Sequence, residues 1–167
     1  PYTIAGDYYF RDNRLEEAQK NFRKATEIDP SRYPIWQQLM IISFDLKNYQ
    51  EVVVLSEASQ ELFPSQPTSY YFAGLAHLQL KNYASSIDQL NIGKIMVIGN
   101  DNLLAQFYAT LGDAHNALKE YDDSDSSYKK SLEIMPDNTY VLNNYSYYLS
   151  LRKEQLKEAE QMMKKCI

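Results

Sequence analysis

Residues 105–138 read AQFYATLGDAHNALKEYDDSDSSYKKSLEIMPDN, and this stretch decides the fold. Tyr108, Leu111 and Gly112 belong to one helical run, Tyr121 and Tyr128 to a second, and Pro136 closes the pair. Proline stops a helix because it has no amide hydrogen and its ring clashes with the preceding turn. Moving towards the N-terminus, Gly74, Tyr83 and Gly93 each precede Gly112, Tyr121 and Ser131 by 38 residues. Further back, Tyr49 precedes Tyr83 by 34, Pro30 precedes Pro64 by 34, and Gly6 precedes Gly74 by 68. The chain is therefore periodic at 34 residues, with four more between its third and fourth units. Four residues make about one helical turn, so a lengthened helix near Ile92–Gly99 is expected to absorb them without turning its buried face.

Aligned at this period, the columns have physical meaning. A small residue recurs in each first helix at Gly6, Gly74, Gly112 and Ser146, with Met40 as the exception. Two further small columns run Ala18, Val52, Ser86, Ser124, Ala159 and Ala25, Ser59, Gly93, Ser131, Cys166. A bulkier column reads Phe22, Ser56, Leu90, Tyr128, Met163. Another opens each second helix with Leu15, Tyr49, Tyr83, Tyr121, Leu156. Small residues let helix backbones approach while large ones fill the grooves between them. Ten helices follow, with no strand: 2–10, 15–28, 33–46, 49–63, 68–80, 83–98, 103–118, 121–134, 139–151 and 156–167.

These columns resemble the tetratricopeptide repeat family, whose unit of 34 residues is a pair of antiparallel helices. Its signature of an aromatic, Leu-Gly, Tyr, Ala, an aromatic, Ala and Pro is met best by Tyr108, Leu111, Gly112, Tyr121, Tyr128 and Pro136. Units at 1–32, 33–66, 67–104, 105–138 and 139–167 match it less completely but in phase. The resemblance implies an all-α, right-handed superhelical solenoid forming one domain over 1–167. The last unit, around 143–150, is also similar to repeats of bacterial tetratricopeptide proteins, envelope-associated ones included. A solenoid ends in polar capping helices, and none is evident. The chain is thus expected to be a segment of a longer protein.

Composition narrows the function. The formal charge of −5 disfavours nucleic acid and anionic membranes as partners, since both require a basic face. No apolar run approaches the ~18 residues of a membrane-spanning helix. One cysteine, Cys166, excludes an internal disulfide framework and leaves the compartment open. His77 and His115 share a column and read as packing residues, because adjacent repeats lie roughly 10 Å apart and zinc needs about 2.0 Å to each nitrogen. Asp122, Asp123 and Asp125 lack the glycine and distal glutamate of a calcium loop and suit the first turn of a helix. Asn144-Tyr145-Ser146 fits a glycosylation pattern but lies within a helix. Neither a nucleophile–base–acid set nor a phosphate-binding glycine loop emerges, so no enzyme, cofactor or metal is expected.

What the resemblance adds is a groove. First helices of this fold line a concave surface, and its inward offsets fall on Phe10, Gln37, Ile41, Phe44, Tyr71, Leu75, Gln79, Asp113, Asn143 and Tyr147. Chaperone-binding members hold a peptide's terminal carboxylate with lysine and arginine there; this chain offers aromatics and amides instead. Tyrosine presents a large, rigid, amphipathic surface, and amides pair with both donors and acceptors of an extended backbone. The expected function is a scaffold or adaptor taking a peptide or protein segment in that groove. The alternatives are self-association into a homo-oligomer through uncapped ends, and a regulatory or localising region of a larger protein.

Overall fold

The computed structural model describes residues 1–165, so Cys166 and its place in the small-residue column lie outside the described residues. These residues are all-helical, without strands. The helices are α1 Tyr2–Arg11, α2 Leu15–Ile28, α3 Tyr33–Asp45, α4 Tyr49–Leu62 and α5 Pro67–Gln79. They continue as α6 Tyr83–Lys94, α7 Asp101–Ala117, α8 Tyr121–Ile134, α9 Thr139–Arg152 and α10 Leu156–Lys165. Successive helices pair as antiparallel hairpins. The chain forms two compact units, one over Pro1–Met96 with α1–α6 and one from Val97 onward with α7–α10.

Within each hairpin, the first helix ends by one device. Asn13, Lys47, Lys81, Lys119 and Lys153 all adopt positive φ, between 57° and 63°. Each lies just past a first helix, and the next amide reaches back to a carbonyl five residues earlier, as Asn48 N–H does to Ser43 and Asn82 N–H to His77. This left-handed termination satisfies carbonyls that the helix leaves open. Second helices end differently. Asp29, Phe63 and Met135 precede prolines and leave the helical region, with φ of −139°, −134° and −131° and ψ of 89°, 63° and 85°. Proline's ring forces that conformation on the residue before it. The Pro30 and Pro64 carbonyls then accept hydrogen bonds from Trp36 Nε1 at 2.9 Å and Tyr70 OH at 3.1 Å, tying each turn to the following first helix.

The columns meet face to face. A Cβ on Gly6 would stand 2.9 Å from the Phe22 ring, one on Gly74 2.5 Å from Leu90, and one on Gly112 2.6 Å from Tyr128. The two exceptions compensate for each other: Met40 replaces the glycine, Ser56 replaces the bulky partner, and Ser56 Oγ donates to Met40 Sδ at 3.4 Å. Serines that follow in two hairpins bond the same glycines, Ser86 Oγ to the Gly74 carbonyl at 2.7 Å and Ser124 Oγ to the Gly112 carbonyl at 2.9 Å.

Two expectations are corrected. The four additional residues do not lengthen α6, which stops at Lys94. They lengthen α7, which has 17 residues where α3 and α5 have 13. Gly99 takes φ +65°, and Asn100 caps α7 by accepting the Leu103 amide at 3.0 Å. A left-handed glycine followed by an Asn cap favours helix initiation there over continuation of α6. In the last hairpin, Met162 is the buried methionine (6% exposed) and Met163 faces outward at 53%. Ala159 keeps its column and is buried, but the buried methionine follows it by three residues where Phe22 follows Ala18 by four.

Candidate functional site

In the first unit, α3 buries Ile35, Trp36, Leu39, Met40, Ile42 and Ser43. This leaves Gln37, Ile41 and Phe44 on a separate, half-buried stripe at helical spacing. On α5, Tyr71 and Leu75 are half-buried and Gln79 is exposed, along the same kind of stripe. Phe44 is engaged within the protein: its ring meets Tyr49 at 5.2 Å and Phe72 of α5 at 6.2 Å. Tyr71 contacts Phe72 edge-on at 6.1 Å. Phe10 is half-buried against the core of Phe22, Trp36 and Leu39. The structure thus brings Phe44, Phe72 and Tyr71 together as an aromatic seam across two first helices.

The second unit has its own arrangement. Asp113 of α7 is half-buried and accepts hydrogen bonds on both oxygens, from Tyr128 OH at 2.5 Å and from Tyr140 OH at 2.6 Å. Burial pushes its carboxyl above the usual aspartate range, against hydrogen bonds from Tyr128, Tyr140 and Asn144 that favour ionisation. Tyr128 is driven far above the ordinary tyrosine range, first by burial and then by the facing carboxylate. Tyr148 stacks on Tyr128 at 6.3 Å and is raised by burial and by Asp113. Tyr147 touches Tyr148 at 5.7 Å and stays 57% exposed; Asn143, one helical turn earlier, is also exposed.

Sequence reading placed Asp113 on this face and Tyr128 in the core. It missed that they are joined. A tyrosine where the equivalent hairpins carry Phe22 and Leu90 was the available signal, since a buried hydroxyl requires an acceptor.

The histidines sit differently from each other. His115 Nδ1 lies 2.7 Å from Glu120 Oε2 at the hairpin turn, with Asp123 nearby and all three ligand atoms within 4.8 Å of one another. His77 is half-buried, Nδ1 has no hydrogen-bond partner, and burial holds its pKa below the usual histidine value. Asp122 and Asp123 occupy the first turn of α8, as expected, and Asp125 pairs with Arg152 of α9 at 2.6 Å. The Arg152 guanidinium lies 4.7 Å from the Tyr121 ring centroid. No helix of the described residues is long and apolar enough to cross a membrane.

Paired helices with this spacing and these stripes define a helical-hairpin repeat solenoid. The tetratricopeptide repeat family model matches residues 1–32 and 105–138, so the chain carries tetratricopeptide repeats there. Among curated proteins, nuclear autoantigenic sperm protein of Homo sapiens is 25% identical over 130 residues, covering 71% of this chain and 14% of that protein. The chain therefore spans a small part of that relative's length. Among solved structures, MamA 41-end from Desulfovibrio magneticus RS-1 superposes with TM-score 0.84 at 18% identity, covering 98% of this chain and 90% of that one. YrrB, described as "a TPR protein with an unusual peptide-binding site", superposes with TM-score 0.73 at 17% identity, covering 100% and 84%. These likenesses establish the fold.

Proposed function

We propose that this chain is a protein-interaction scaffold that takes a peptide or protein segment on the faces of its first helices. The supporting observation is the separation of two stripes on the same helices. One is buried between hairpins; the other keeps Gln37, Ile41, Tyr71, Leu75, Gln79, Asn143 and Tyr147 half-buried or exposed. Aromatic and amide groups held on rigid helices lose little entropy on binding and suit contact hot spots. YrrB, with the same fold, is described as having a peptide-binding site.

The test is site-specific photocrosslinking with p-benzoylphenylalanine at position 71 or 147, against position 54 on α4, where Val54 is 57% exposed. Partner adducts from 71 and 147 but not 54 support the reading. Adducts from 54 alone move the binding surface to the second helices and defeat it.

Self-association is the second reading. In the first unit Ile4 and Ile28 are 76% and 70% exposed, and in the second Leu151 is 62% exposed. Exposed apolar groups of this size favour a protein neighbour. Light scattering over a hundredfold concentration range separates a monomer from a growing oligomer.

A further inference from the structure

We propose that Asp113, together with the tyrosines of α9 around it, is the subsite for an arginine side chain of the bound segment. The inference rests on the reading that first-helix faces bind protein, and it assigns the chemistry of one position.

Asp113 is a half-buried carboxylate held only by neutral donors. Among the described residues no lysine, arginine or histidine pairs with it. Tyr128 and Tyr140 occupy one lone-pair site on each oxygen, and Asn144 a third, out of about four that a carboxylate offers. The hydroxyls fix the carboxylate's orientation and leave acceptor capacity for an incoming donor. A carboxylate that faces only neutral donors gains a charge-assisted hydrogen bond when a cation arrives.

The second unit already contains the answering geometry. Arg152 is held by Asp125 at 2.6 Å, with Glu154 at 3.4 Å, and lies over the Tyr121 ring at 4.7 Å, so carboxylates and a tyrosine face together seat a guanidinium. In the first unit Arg14 covers the Tyr9 ring at 4.4 Å. Asp113 supplies a carboxylate, and Tyr140, 54% exposed, brings an aromatic ring beside it. Arginine suits this site better than lysine, because one guanidinium N–H takes the remaining lone pair while the planar face lies on an aromatic ring. Net charge of −5 assists the approach of a basic segment.

The experiment uses three peptides of form acetyl-Gly-Gly-X-Gly-Gly-amide, with X as arginine, lysine or citrulline, titrated into the labelled chain and followed by amide NMR shifts. Citrulline keeps arginine's shape without its charge. The expected result is saturable shifts at Asp113, Tyr140 and Asn144 with the arginine peptide, about ten-fold weaker with lysine or citrulline. Asp113→Asn should weaken arginine binding about ten-fold, and Asp137→Asn, an equal charge change at an exposed position, should leave it unchanged. Tyr140→Phe, which keeps the ring, guards against misfolding of the Asp113 variant and should retain partial binding. Arginine shifts that persist in Asp113→Asn overturn the inference, as do shifts spread over all acidic surfaces. Equal response of the first-helix faces to all three peptides also overturns it but preserves the scaffold reading; second-helix shifts alone defeat both.

Discussion

Gly112→Ala tests how tightly the hairpins are locked. In an open helix this change stabilises by about 1 kcal/mol, because alanine is the better helix former. Here the new methyl would stand 2.6, 2.7 and 2.8 Å from Tyr128 Cε1, Cδ1 and Cζ. Ordinary carbon contacts lie near 3.5–4.0 Å, so the ring must retreat by about 1 Å. Tyr128 is fully buried, stacked on Tyr145 at 5.2 Å, and bonded through its hydroxyl to Asp113. Overpacking of this kind costs about 1–3 kcal/mol, and pulling the hydroxyl from a carboxylate about 1.5–3 more. After the helix-propensity gain, the net loss should be about 1.5–5 kcal/mol. Urea unfolding followed by circular dichroism gives the magnitude, and amide hydrogen exchange places it in α7 and α8. Gly6→Ala meets the Phe22 ring at 2.9–3.0 Å and should cost less. A Gly112→Ala protein as stable as the wild type would show that Tyr128 is free to move, and would refute the reasoning.

The swapped pair gives a double-mutant cycle: Met40→Gly and Ser56→Leu should each destabilise, and the double variant, which recreates the Gly74–Leu90 pairing, should recover about 2 kcal/mol by coupling in urea melts. Lys47→Gly and Lys81→Gly relieve left-handed lysines and should each raise the unfolding free energy by about 0.5–1 kcal/mol. Asp125→Ala leaves the half-buried Arg152 with only the longer Glu154 contact at 3.4 Å and should cost about 1.5–3 kcal/mol, whereas Asp125→Leu with Arg152→Met should recover most of that in the same assay. His77 is held neutral by burial, so its contribution to stability is complete above about pH 6.5 and declines as pH falls through that value towards its lower folded pKa. His77→Gln should flatten that part of the stability–pH curve.

The helices were legible because packing columns recur at fixed spacing: α2 and α8 begin and end where the pattern places them. The insertion was misread because periodicity registers length without saying on which side of a turn it falls. That choice was made by Gly99 and Asn100, whose backbone and capping preferences are local. Met162 replaced Met163 for a related reason, since adjacent methionines present equal volume and only the phase of α10 distinguishes them. The Asp113 cluster was half legible. Its carboxylate falls on the first-helix face by offset, but the hydroxyl that meets it comes from 15 residues along the chain, through a side chain otherwise assigned to the core.

Met40 opposite Ser56 has a consequence for how such a chain grows by duplication. A crossover within a hairpin would set Met40 against Leu90, two large groups in one socket, or Gly74 against Ser56, a void. A crossover after a second helix carries both partners together. For the hairpin that carries Met40 and Ser56, exchanges at the turns of Pro30 and Pro64 keep the pair matched, so that hairpin duplicates best as a whole.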